Sequence, residues 1–200
     1  MKNEAELLGT VAFVQIQLEP LKKGSSNGRV YDPQSLLRVA ALELTGRGAV
    51  GCSAAGERHL DAHHADHPDS RYRGANGLSI GFSAHYESMR RRFGPHLVDG
   101  IAGENIIIAS QAAPALSDLT GIMRFENPDG STIDSVCLKA MAPCDEFSHY
   151  AQRAVERLPP EELKAALRFL DNGRRGFTIR LVGAERGVVY PSARVFLLPN

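Results

Sequence analysis

The chain lacks tryptophan, an excess of either charge and any long apolar run, and it has little cysteine. The missing tryptophan decides nothing; the other absences each exclude something. Lys and Arg total 23 and Asp and Glu total 23, with a pI near 7.1. That balance excludes a general nucleic-acid binder, which carries a basic face. No apolar stretch approaches the roughly 20 residues needed to cross a bilayer, so no membrane partner is expected. Met1-Lys2-Asn3-Glu4-Ala5-Glu6 contains no apolar core of the secretory kind. Cys52, Cys137 and Cys144 are odd in number and irregular in spacing. They form neither a disulfide framework nor paired zinc knuckles, and the expected compartment is a reducing cytoplasm. A length of 200 residues suits one domain, expected over 1–200, with a sizeable core.

What is present is strand-rich. Leu8 to Leu18 alternates around Val11, Phe13, Gln15 and Gln17, which predicts a strand. Ser79 to Phe82 and Ile106-Ile107-Ile108 predict short buried strands. Asn127-Pro128-Asp129-Gly130 predicts a hairpin turn between Gly121–Phe125 and Ser131–Lys139. Closing strands are expected at Phe177–Val182 and Ala193–Leu198. Helices are expected over Ala84–Phe93 with Ser83 as cap, Glu146–Arg157 and Pro160–Leu170. Lys22–Gly28 is a polar loop. Ser35–Leu44 fits either period. Gly46–Gly77 shows little periodicity, and so long an irregular stretch is usually functional or mobile.

Pro143-Cys144 is the sharpest chemical signal. It stands between the apolar run Val136–Ala142 and the helix-like Asp145-Glu146-Phe147-Ser148-His149-Tyr150. Unpaired N–H groups at a helix start favour thiolate, the form that attacks electrophiles and binds metals. Asp145 and Glu146 oppose a second negative charge. A reactive thiol and a buried structural cysteine both remain open.

The densest polar cluster is His59, Asp61, His63, His64, Asp66 and His67. Imidazole with carboxylate suits zinc, iron or nickel; a hydrogen-bonded polar loop is the bland alternative. Arg58, Arg71 and Arg73 bracket the same loop and suit either a phosphate or local pairing with Asp61, Asp66 and Asp69. Gly103-Glu104-Asn105 is a turn into the Ile106 strand. Asn172-Gly173-Arg174-Arg175-Gly176 offers N–H groups and two guanidiniums to an anion, or is a solvated loop.

In order, Gly56-Glu57-Arg58-His59, Gly103-Glu104-Asn105-Ile106, Pro143-Cys144, Gly173-Arg174-Arg175-Gly176 and the last strand resemble the MOSC domain. That is the C-terminal module of molybdenum cofactor sulfurases, also found as small stand-alone bacterial proteins. The resemblance covers about 46–198. It implies a mainly β fold with peripheral helices (α+β), a MOSC-type β-barrel. It implies that Cys144 ligates molybdenum or carries activated sulfur. It places Arg58 and His59 in a cofactor-facing loop and Glu104 and Asn105 at the pocket edge. The pterin phosphate of the molybdenum cofactor (molybdopterin) would lie among Arg58, Arg71 and Arg174 or Arg175, with His59 passing protons. Glu57 stands where the family usually has Asp, and Met141 and Ala142 stand where many members have a base. These departures, with the extra histidines, point toward a different metal or substrate.

The resemblance implies reduction of an N-hydroxylated small-molecule substrate or handling of cofactor sulfur. Electrons would come from a separate redox partner and sulfur from a cysteine desulfurase; any pyridoxal phosphate would sit on that partner. Two other readings stand beside it. One is a hydrolase or lyase using a divalent zinc, iron or nickel ion on His59, Asp61, His63, His64 and His67. The other is a non-enzymatic sulfur carrier using Cys144.

Overall fold

The computed structural model describes residues 4–25, 28–70 and 72–199. Its strands are β1 (Glu6–Gln17), β2 (Lys22–Lys23), β3 (Val30–Tyr31), β4 (Leu36–Val39), β5 (Ala41–Thr45), β6 (Gly48–Cys52) and β7 (Arg58–Leu60). They continue as β8 (Ser79–Phe82), β9 (Ile106–Ala109), β10 (Ile122–Glu126), β11 (Thr132–Ala140), β12 (Phe177–Val182), β13 (Arg186–Val189) and β14 (Arg194–Leu197). The helices are α1 (Ser83–Phe93), α2 (Asp145–Ala151) and α3 (Pro160–Leu170).

The main sheet runs β14-β10-β11-β12-β8-β9-β1, and β1 pairs back onto β14. This closes a seven-stranded mixed barrel, antiparallel except for β8 beside β9. Closure leaves those strands no free edge. The parallel pair needs a crossover, and α1 supplies it. A second sheet, β13-β5-β6-β7, packs at the barrel, and β4 extends from β1. The architecture is a β-barrel with peripheral helices.

Two apolar clusters follow from strand alternation. Val14 and Ile16 of β1, Ile106 and Ile108 of β9, and Phe177 of β12 fill the barrel. Ile107 points the other way, into a cluster with Tyr31, Tyr86, Met89, Phe147 and Leu170 under the helices. The Ile106–Ile108 run is wholly apolar because both faces of β9 are covered. On β1 the outer positions are Gln15 and Gln17, buried beneath the 100–104 loop. Gln15 Nε2 donates to Gly100 O (2.7 Å) and Glu104 O (2.9 Å). Gln17 Nε2 donates to Gly103 O (2.8 Å). Two polar residues in a strand thus pin the loop that delivers Glu104.

Several expectations need correction. Gly46–Gly77 holds β6 and β7, whose small and polar residues hide the alternation. Ser35–Leu44 resolves into β4 and β5. Ser83 does not cap α1: Phe82 occupies that place, and Ser83 Oγ instead donates to Ser110 O (3.2 Å) and accepts from Ser110 N (2.9 Å). The helix expected over Glu146–Arg157 stops at Ala151, and Arg153 then turns left-handed at φ 52°. The sequence reading did not single out β13. No helix among the described residues is long and apolar enough to cross a membrane.

Candidate functional site

Cys144 is the residue before α2, half-buried, with extended backbone and no side-chain capping bond. The helix it opens is only seven residues long, so its dipole is a weak influence. The stronger one is Arg175, whose Nη1 donates to Cys144 Sγ at 3.5 Å. Arg175 is 7% exposed, and its guanidinium lies over the Phe147 ring at 4.0 Å. A guanidinium keeps its charge at any ordinary pH, so Cys144 Sγ faces a fixed positive charge.

A hydrogen-bond chain runs behind this pair. Arg175 Nη2 donates to Ala102 O (3.2 Å), Ala102 N donates to Tyr86 Oη (3.1 Å), and Tyr86 Oη donates to Glu104 Oε2 (2.6 Å). Glu104 is fully buried, and burial pushes its carboxyl up to about 7 against the pull of the Tyr86 hydroxyl and of Arg175. Glu104 Oε1 and Arg175 Nε are buried without hydrogen-bond partners among the described residues. Tyr31, whose hydroxyl donates to Ile101 O (2.7 Å), completes the wall. Burial raises the pKa of that phenol. Gly176 must be glycine here: its φ is +83°, and an added Cβ would meet Glu104 Cγ at 2.7 Å.

Glu146 connects the thiol to open space. Burial opposes its charge, but backbone N–H, Lys22 (3.0 Å) and the Cys144 thiol together hold its carboxyl below the ordinary value. The same residue lines a cavity of about 880 Å³ bounded by β3, α2 and the segment after α2. Cys144 itself is not part of that lining; Asp145 and Glu146 are.

The histidine loop is organised differently. Asp61 is fully buried and accepts from Gln17 N (2.8 Å), His63 N (2.8 Å) and Asn105 Nδ2 (3.0 Å). His63 Nδ1 lies 3.2 Å from Asp61 Oδ1. His64 Nδ1 and His67 Nδ1 accept from Asp66 N (3.2 Å) and Asp69 N (3.1 Å), and His67 Nε2 contacts Leu18 O at 3.1 Å. Burial lowers the pKa of His64. His59 is partly exposed, 3.8 Å from Glu57, and Arg58 pairs with Glu43 at 2.5 Å. Among the described residues no three His, Cys, Asp or Glu side chains are grouped to hold a metal ion.

Of the residues expected at one site, the structure brings Cys144, Arg175 and Glu104 together. Asn105 points the opposite way, to Ser79 and Asp61, so the Glu104–Asn105 pair serves both the thiol network and the histidine loop. Among the described residues no hydrogen bond or ion pair joins Arg58, His59, His63, His64 or His67 to Cys144. Arg174 turns to Phe169 O (2.7 Å) and lies over the Phe169 ring. Arg71 lies outside the described residues. Of the arginines expected for a pterin phosphate, the described one beside Cys144 is Arg175. The other cysteines differ: Cys137 packs against the barrel core, and burial pushes its thiol up to about 11. Cys52 lies in β6, paired in register with Arg58. Tyr86 and Tyr31 went unmarked in the sequence, and Glu146 and Phe147 figured there only in the run that follows Cys144, Glu146 as a charge opposing thiolate. The one local signal was the placement of Glu146 and Phe147 two and three residues after Cys144.

No protein-family model and no curated protein matches the chain. Solved structures do. The YuaD protein from Bacillus subtilis superposes with a TM-score of 0.56 at 14% identity, covering 96% of this chain and 97% of that one. A protein described only as hypothetical gives a TM-score of 0.54 at 15% identity, covering 97% of this chain and 70% of that one. At such identity the likeness is one of fold.

Proposed function

We propose that Cys144 is the working sulfur of this protein and that it receives and hands on sulfane sulfur, the sulfur-handling branch implied by the MOSC resemblance. The observation that carries this reading is the buried Arg175 guanidinium on Cys144 Sγ at 3.5 Å. In the transfer, the Cys144 thiolate attacks the outer sulfur of a persulfide on a donor such as a cysteine desulfurase. The bond to the donor sulfur breaks, the donor leaves as a thiolate, and Cys144 becomes the persulfide; the electrons balance without an external oxidant. Arg175 stabilises the thiolate before attack and the persulfide anion after it. The acceptor would be the molybdenum cofactor or a small molecule, in a cytoplasmic setting.

The cofactor's own fit is partial. Cys144 offers a thiolate ligand and Arg175 one anion-binding fork, but Arg58 and Arg174 are engaged elsewhere. The test is elemental: molybdenum, zinc, iron, nickel and labile sulfur are measured per chain in wild type and Cys144→Ser. The reading expects labile sulfur on wild type and its loss in Cys144→Ser. Stoichiometric molybdenum with a fluorescent oxidised pterin, lost in the same variant, would favour N-hydroxy reduction instead. Zinc, iron or nickel retained by Cys144→Ser would transfer the function to the histidine loop.

A further inference from the structure

The cavity of about 880 Å³ beside α2 has a chemical polarity of its own. Its size suits a small molecule. Tyr31 and Tyr150 line it with ring centroids 5.2 Å apart. Val30 and Val155 also line it, at 60% and 101% exposure. Those are unusual exposures for two valines sharing one concavity, and an apolar ligand body would cover them. The charges are segregated along the helix. Asp145 and Glu146 stand at its start, next to Cys144, while Arg153 and Arg157 stand beyond its end. Glu146 is already balanced by Lys22 at 3.0 Å and Arg29 at 4.0 Å. Arg153 and Arg157 have no ion-pair partner among the described residues, although Glu156 lines the same space.

We infer that this cavity binds a small monoanion with an apolar or aromatic body, its anionic group on Arg153 and Arg157 and its uncharged end beside Cys144. The carboxylates Asp145, Glu146 and Glu156 disfavour a multiply charged phosphate in the same space. Orientation follows from the segregation: at the α2 start the cations Lys22 and Arg29 are already engaged by Glu146, with Asp145 beside it, whereas at the other end an anion meets two forks able to bind carboxylate or sulfonate bidentately. The opposite end of the ligand then comes to Asp145 and Glu146, the two residues that follow Cys144 in the chain. The inference deepens the sulfur-handling reading by naming the class of small-molecule acceptor, and it rests on that reading only for what happens to the sulfur.

The probe is 8-anilinonaphthalene-1-sulfonate, an aromatic monoanion, titrated by fluorescence against the whole chain. N-phenyl-1-naphthylamine, the same body without the sulfonate, is the neutral control. The variant is Arg153→Asn with Arg157→Gln. Both sites are exposed, and Asn tolerates the left-handed backbone at position 153. The inference expects one saturable site, at least tenfold weaker in the double variant, with the neutral control unaffected by the substitutions. It also expects bound anion to slow iodoacetamide alkylation of Cys144 at least fivefold. Anion affinity within twofold of wild type in the double variant would overturn the site; unchanged alkylation would overturn its place beside the thiol. The titration does not involve the sulfur, so its failure is distinct from failure of the labile-sulfur measurement.

Discussion

Two buried titratable residues pull the stability of this protein in opposite directions. Burial raises Glu104 from an ordinary 4.5 to about 7, so its contribution is complete below pH 4.5 and is lost as pH rises through 7. Burial, reinforced by Arg174, lowers His85 from 6.5 to about 4, so its contribution is complete above pH 6.5 and is lost as pH falls through 4. Between pH 4.5 and 6.5 the two slopes oppose each other, each amounting to roughly 3 kcal/mol over its window. Glu104→Gln will therefore leave a stability that rises with pH, and His85→Phe one that falls. Urea midpoints from pH 4.5 to 7.5 check this; wild-type profiles in both variants would contradict it. Asp61 makes a different case. Asp61→Ala leaves Gln17 N, His63 N and Asn105 Nδ2 without their acceptor and is expected to cost at least about 1–3 kcal/mol. Thermal unfolding with and without a chelator checks whether that role is structural. The expected result is a lower melting temperature in the variant and no chelator effect on wild type.

At the scale of elements, the legible parts were those whose residues alternate or punctuate strongly. Ile106–Ile108, the Asn127–Gly130 turn and the Pro160 helix start all form as their residues predict. β6 and β7 were hidden because Gly48-Ala49-Val50-Gly51 and Arg58-His59-Leu60 lack a clear period, and their strand character comes from pairing, β6 with β5 and β7 with β6. Cys144 stood out because Pro143 separates a strand from a helix. Arg175 was one of several arginines, and nothing local distinguishes it from Arg174. Only the fold sends one to Cys144 and the other to Phe169. The histidine loop shows the same dependence on the fold. Its ligand-type side chains mostly serve local turns, as His64 and His67 do by accepting N–H groups two residues on. The loop carrying Arg175 depends on Gly176, so Gly176→Ala combines a left-handed backbone with a collision at Glu104. It is expected to destabilise by about 1–3 kcal/mol and to slow Cys144 alkylation. An unchanged melting temperature and rate would show that the loop yields freely.

For the whole molecule, barrel closure through the β1–β14 pairing fixes the strands on which both networks hang. The barrel core is largely apolar, and the Cys144–Arg175–Glu104 network lies outside it, where β1, the 100–104 loop, α1, α2 and the Arg175 turn meet. The solved structures share this fold across nearly the whole chain. The central claim is that the fold singles out Cys144 among three cysteines and that Arg175 activates it. Site-resolved alkylation tests it most directly, with the rates at Cys52, Cys137 and Cys144 followed by peptide mass spectrometry in wild type and Arg175→Met. The account predicts that Cys144 reacts first in the wild type and at least fivefold more slowly in the variant, with Cys137 slowest in both. Faster labelling of Cys52 or Cys137, or an unchanged Cys144 rate in Arg175→Met, would contradict it.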